Sequence, residues 1–148
     1  MSPKVDPLIT INEIEAFPDD GKRYEIIEGE LHVSAAPNLY HQRIFAKILF
    51  LLQSYFNQNP IGEIIPTPGT IFSEINYVIP DLVFISNEQR EAIATGVNIT
   101  GVPELIIEIV SPGPENEKRD RVVKKQLYGK FGVKEYWLVD SMKRTVEV

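Results

Sequence analysis

Two acidic side chains stand where apolar ones belong. Glu108 interrupts the run Leu105, Ile106, Ile107, Ile109, Val110 in "GVPELIIEIVSP" (101–112), and Asp81 leads a similar run in "YVIPDLVFIS" (77–86). A carboxylate that loses its hydration needs a partner or a metal in exchange. Strand periodicity puts Glu108 on one face with Ile106 and Val110, and Asp81 with Val83 and Ile85. Both faces of the Glu108 strand are apolar, as in a central strand covered on two sides. Two such acids can converge on one divalent cation, which offsets the burial cost of both. The alternative is that each reaches solvent at a strand end or caps a nearby backbone N–H group.

A cation follows in the sequence. In "ENEKRDRVVKKQLYGK" (115–130), Val123 and Leu127, with Phe131 just beyond, define an apolar stripe. At 100° per residue Asp120 and Lys124 fall on that stripe or at its edge, whereas Lys118 and Lys125 point away. Lys124 either pairs with Asp120 four residues back, worth about 0.3–0.5 kcal/mol, or stands beside the two acids. There it could orient a water or stabilise charge developing on a phosphorane. Tyr128, one turn on, lines the same cleft or only packs. His41 shares the stripe of Ile44 and Ile48 on an earlier helix and faces inward, as a hydrogen-bonded core residue or as part of the site.

These residues need a scaffold. Residues 1–20, with Pro3, Pro7 and Pro18, read as a loosely ordered lead-in to one domain over 21–148. "YEIIEGELHV" (24–33) reads as a hairpin turning at Glu28-Gly29, where Gly supplies positive φ. A helix should begin after Asn38 as N-cap and end by Asn59-Pro60, with Ile44, Ile48, Leu51, Leu52 and Tyr55 inward. Three strands over 62–68, 69–75 and 77–86 follow, then a short polar segment, the Glu108 strand (104–110), the Lys124 helix (115–131) closing at Gly132, and a strand at 134–140. A further strand begins at "RTVEV", and the sequence is expected to be a fragment cut within it. The order suggests a mixed sheet of α/β or α+β type flanked by two main helices.

Composition narrows the class. With 148 residues, 43% of them apolar and 9% aromatic, the chain suits a single globular core. No run approaches the roughly 18 consecutive apolar residues of a membrane span, and Met1–Thr10 lacks the pattern of a secretory leader, so the cytoplasm is the expected compartment. With no cysteine and only two histidines, a metal would rest chiefly on oxygen ligands. The net charge of −6 argues against broad polyanion binding, yet residues 115–130 hold six basic and three acidic side chains, a local +3.

Taken together, "PD" at Pro80-Asp81, "ELIIEIVSP", "DRVVKKQLYGKFGVKEYWLVD" (120–140), "YEIIEGEL" and "NLYHQRI" resemble a bacterial family of putative restriction endonuclease domains. That family is a branch of the PD-(D/E)XK nuclease superfamily, and the match runs from about Tyr24 to Val148. The resemblance implies a restriction-endonuclease-like αβββαβ core of mixed α/β type with an N-terminal β-hairpin. It further implies a Mg²⁺-dependent DNA endonuclease, with Mn²⁺ as a possible substitute, acting as a homodimer. Asp81 and Glu108, with the backbone carbonyl of Ile109, would be metal ligands, and Lys124 would complete the catalytic set. The superfamily's usual lysine position, two residues after the strand acid, is Val110 here, and Lys124 takes its place. His41, Glu30, Asp120 and Tyr128 would line the site, with Lys118, Arg119, Arg121 and Lys125 contacting DNA phosphates. Two other functions fit the same residues: a catalytically silent nucleic-acid-binding or interaction domain that keeps the fold, and a hydrolase of small phosphoesters.

Overall fold

A computed structural model describes residues 7–148. The expected lead-in falls partly outside them, at residues 1–6. Within the rest of it, Ile11–Ala16 forms a short 3₁₀ helix. Thr10 and Glu13 close a reciprocal capping box at its start, which satisfies donors the helix cannot satisfy itself.

The hairpin pairs β1 (Arg23–Ile27) with β2 (Glu30–Ser34) in the register Ile27↔Glu30. Both turn residues, Glu28 at φ 50° and Gly29 at φ 78°, are left-handed, the two-residue turn whose twist matches its strands. Helix α1 (Leu39–Gln58) starts at the expected cap, with the Asn38 side chain accepting from the His41 N–H. Its buried stripe is rotated from expectation. Ile44, Phe45, Ile48, Leu49, Leu52 and Phe56 pack inward, while Leu51 and Tyr55 are exposed. Phe56 stacks on Phe84 and Phe45 on His41, and these inward rings leave Leu51 and Tyr55 on the flank of the helix.

Next come β3 (Gly62–Pro66), β4 (Thr70–Ser73), β5 (Asn76–Val78) and β6 (Leu82–Ser86). The expected strand 77–86 is two strands, split at Ile79-Pro80-Asp81, where Pro80 cannot donate to a ladder. A short α2 (Asn87–Ile93), β7 (Ile99–Thr100) and β8 (Leu105–Ile109) follow. The Lys124 helix has three parts: α3 (Pro114–Lys118), a π-helical segment (Arg119–Val123) and α4 (Lys124–Lys130). Strands β9 (Glu135–Asp140) and β10 (Thr145–Glu147) complete the described chain.

The strands divide between two mixed sheets, β2-β1-β5-β4-β7 and β10-β9-β8-β6-β3. In the second, α1, β3, β6, β8, the three-part helix and β9 follow one another as an αβββαβ core, with β8 parallel to β9 and antiparallel to β6. One face of this sheet packs on α1 through Ile107, Ile109 and Leu82. The other packs Ile106, Val83 and Ile85 against Leu127 and Tyr128 of α4 and against Ile27, Val78 and Ile99 of the first sheet. Strand β8 is thus covered on both faces, and all five of its residues are buried. No described helix is long and apolar enough to cross a membrane.

Candidate functional site

Asp81 lies where the chain leaves the first sheet for the second, and Glu108 lies in β8 on the face that α4 covers. They interlock through the backbone. The Asp81 N–H donates to Glu108 Oε1 at 3.0 Å, and the Ile109 N–H donates to Asp81 Oδ2 at 2.7 Å. Each acid therefore caps a backbone group of the segment carrying the other. This fixes both carboxylates without exhausting them, since each retains one oxygen for other partners.

On Glu108, that second oxygen accepts from Lys124 Nζ at 2.6 Å and from the Tyr128 hydroxyl at 2.9 Å. Lys124 also reaches Glu25 Oε2 at 2.8 Å. The π segment has a part in this placement: the Lys124 N–H bonds the Arg119 carbonyl, five residues back, and the wider turn lets Asp120 and Lys124 both face inward. Both are buried, yet their side chains pair elsewhere, Asp120 with Arg119 at 3.2 Å and Lys124 with the two glutamates. On Asp81, Oδ1 accepts from an Arg23 terminal nitrogen at 2.7 Å and faces His41 Nε2 at 3.2 Å. His41 Nδ1 lies 3.1 Å from Gln42 Oε1, so both ring nitrogens meet acceptors.

Burial and charge set the protonation states. Burial would raise Asp81, but the His41 hydrogen bond and the charges of Arg23 and His41 prevail and hold it down at about 2. Glu108 goes the other way, to about 7, because burial and the neighbouring acids outweigh Lys124. Lys124 is shifted up despite its burial, since Glu108, Glu25 and Asp120 all favour the ammonium. Burial lowers His41, and its bond to Asp81 more than restores it. Asp120 is raised, chiefly by burial, against Lys124 and Arg119. Burial likewise pushes Tyr128 far up, so its hydroxyl stays a donor.

A cavity of about 280 Å³ opens onto this cluster, lined by both acids, Lys124, Asp120, His41, Glu25, Arg23, Arg119 and Ile109 among others. Tyr128 is buried behind it against Glu108. The remaining expected residues lie apart. Glu30 is exposed at the hairpin turn, and Lys118 and Lys125 are exposed on the helix. Arg121 is engaged by Glu117, Asp140 and Glu147 and lines a separate recess with Lys125, Tyr136 and Leu138.

Two residues of the cluster were missed by sequence reasoning. Glu25 is 1% exposed and binds the Ile79 N–H as well as Lys124. Its signal was of the same kind as that of Glu108: an acid before two isoleucines, on the strand face of Ile27. Arg23 shares that face two residues earlier. Both were passed over because a hairpin alternates polar and apolar residues anyway.

The oxygen donors suit a hard divalent cation. Asp81 and Glu108 are carboxylates at one cavity, and Asp81 Oδ1 already gathers a guanidinium and an imidazole. Among the described residues no group of three or more His, Asp or Glu side chains forms a ready metal cage. Mg²⁺ asks for less, since it commonly keeps several waters and takes one or two carboxylates.

The family model for Uma2, described as putative restriction endonuclease, matches residues 11–148. Among solved structures, a putative nuclease from Anabaena variabilis ATCC 29413 superposes with a TM-score of 0.73 at 23% identity, covering 93% of this chain and 77% of its own. At that identity the likeness is one of fold. No curated protein matches the sequence.

Proposed function

This chain belongs to the Uma2 family of putative restriction endonucleases, and from that membership and the cavity's chemistry we propose that it is a Mg²⁺-dependent endonuclease hydrolysing DNA phosphodiester bonds in the cytoplasm. The observation that carries the reading is the buried ammonium of Lys124 on Glu108, one backbone hydrogen bond from Asp81. A lysine between buried acids at the floor of a cavity is a costly arrangement to keep for packing alone.

Asp81, Glu108 and the Ile109 carbonyl would hold Mg²⁺ or Mn²⁺, which when bound supplies a water of lowered pKa and polarises a phosphoryl oxygen. The chain's own groups do the rest. An ammonium has three N–H donors, and Glu25 and Glu108 take two from Lys124. The third is available to the attacking water or to a non-bridging phosphoryl oxygen, where it stabilises negative charge as the new P–O bond forms and the old one breaks. Tyr128 holds Glu108 Oε2 in place, and His41 does the same for Asp81 Oδ1. Arg119 within the cavity, with Lys118 and Lys125 outside, would contact phosphates. Arg121 is committed to three carboxylates and drops out of that set. Two strands call for two sites, so we include a homodimer in the proposal.

Cleavage of supercoiled plasmid in Mg²⁺ or Mn²⁺ tests it. Asp81→Asn, Glu108→Gln and Lys124→Ala should each lose at least about 100-fold, the scale of losing one such stabilising group. Equal nicking by wild type and all three variants would sink the proposal. The silent-domain reading has one observation in its favour: every oxygen of Asp81 and Glu108 already accepts from the chain itself. Calorimetry separates the two, because a silent scaffold shows no divalent binding that depends on these acids.

A further inference from the structure

We propose that Arg23 is a displaceable counter-cation of this site: it holds Asp81 while no divalent ion is bound and turns to a DNA phosphate when one arrives. The inference rests on the nuclease reading and adds to it a substrate-binding residue from the hairpin.

The contact is built to exchange. Arg23 reaches Asp81 from the other sheet, across 58 positions of sequence, and its side chain is 18% exposed against 3% for Asp81. Among the described residues only one of its nitrogens is engaged, on one carboxylate oxygen. A guanidinium has five N–H donors and can grip a carboxylate through two parallel bonds. This one does not. The other cations at the cavity are held more firmly: Lys124 by two buried glutamates, and Arg119 by Asp120 and Asn116.

The oxygen Arg23 occupies is the one a cation would want. Asp81 lines the cavity, and its Oδ2 accepts from the Ile109 N–H whereas Oδ1 meets only side chains that also line the cavity, Arg23 and His41. A divalent ion held by Asp81 would bring further positive charge to an oxygen that already has a guanidinium at 2.7 Å and an imidazole at 3.2 Å. Like charges so close repel, and the least tethered of them leaves. Its departure would not release the acid, because the Ile109 N–H and His41 still hold Asp81 in place. A planar, permanently charged fork freed within the cavity lining is matched to a phosphate. Arg23 should therefore oppose divalent binding in the free protein and favour DNA in the loaded one, coupling the two ligands.

The test is Mn²⁺ calorimetry on wild type, Arg23→Gln and Asp81→Asn, with binding of a fluorescein-labelled 30-base-pair duplex measured in Ca²⁺. Arg23→Gln should bind Mn²⁺ about tenfold more tightly than wild type and the duplex about tenfold more weakly. Unchanged or weaker Mn²⁺ binding by Arg23→Gln, with Asp81-dependent binding in wild type, would overturn this proposal and leave the nuclease reading intact. Mn²⁺ binding that is absent, or unaffected by Asp81→Asn, would overturn both. Should Arg23→Gln fail to fold, nitrogen NMR of the wild-type guanidinium, assigned with Arg23→Lys, decides: its signal should shift on adding Mg²⁺, and an unmoved signal rejects the exchange.

Discussion

Lys124 and Glu25 depend on each other more than either depends on solvent. Glu25 is 1% exposed, and its Oε2 accepts from both Lys124 and the Ile79 N–H. Glu25→Ala would strand a buried N–H and remove one anion from a buried ammonium, so a loss of about 3 kcal/mol is expected in urea unfolding. Glu25→Gln, which keeps an acceptor oxygen, should lose less. The titrating groups give a second prediction. Glu108, raised from 4.5 to about 7, contributes stability that is full below pH 4.5 and lost as pH rises through 7. Asp120 and His41, both raised, act with the same sign. Asp81, lowered from 3.8 to about 2, contributes stability present above its unfolded value and lost as pH falls toward 2. The metal-free protein should therefore lose melting temperature between pH 5 and 8, and Glu108→Gln should flatten that slope. A rise in melting temperature over this range would contradict the assignment. Asp81, Glu108 and Lys124 stood out in the sequence because a charge inside an apolar pattern is conspicuous. Glu25 and Arg23 were not, because one strand of a hairpin does not reveal which face a second sheet will cover.

At the level of elements, the sequence revealed what is local and obscured what is tertiary. The Asn38 cap, the Glu28-Gly29 turn and the succession of hairpin, helix, strands, helix and strand are written in short-range chemistry, whereas the αβββαβ core rests on the family resemblance. The split of 77–86 into β5 and β6 depends on Pro80 marking a crossing between sheets rather than an edge, and the rotated stripe of α1 depends on which aromatics the second sheet accepts. The π segment was the least visible, since an α-helical wheel already placed Lys124 at the edge of the buried face. Its contribution can be tested by deleting Val122, which is 46% exposed. Removing one residue would close the wide turn to an α turn, which keeps Arg119 nearly in register with Lys124 but turns Asp120 by roughly 30° relative to it. The helix should persist by circular dichroism while the proposed plasmid cleavage falls, though by less than in Lys124→Ala. Activity retained at wild-type level would show that the bulge positions nothing. The cap offers a milder case: Asn38→Ala should reduce stability by about 1 kcal/mol, with the loss traceable to the start of α1 and so to His41.

For DNA to be the substrate, as proposed, the whole molecule must reconcile a net charge of −6 with an anionic ligand. It does so by concentration. Residues 115–130 carry a local +3, with Arg119 lining the cavity and Lys118 and Lys125 exposed elsewhere on the same helix. The three phosphate contacts proposed on this helix contribute about −3 to the slope of log affinity against log salt on duplex DNA. The Lys118→Glu, Lys125→Glu double variant should bring that contribution near −1 and leave the Mn²⁺ affinity of the site unchanged. Assembly sets the multiplier. Helix α1 turns Tyr40, Leu51 and Tyr55 outward, with Leu51 65% exposed, and an apolar face of this kind on a sheet-packing helix suits burial against a second copy. If the homodimer forms there, Leu51→Asp should give a monomer by light scattering with an unchanged fold by circular dichroism, because the side chain packs on nothing within its own chain's core, and its melting temperature should no longer depend on protein concentration. Plasmid cleavage would then separate the two levels of organisation. The monomer should still nick one strand, since each cavity is built from one chain, but double-strand cuts should become rare and accumulate only after nicked circles. A wild type that is already monomeric, or a Leu51→Asp variant that linearises plasmid as directly as wild type does, would place the second cut elsewhere than in a partner held at α1.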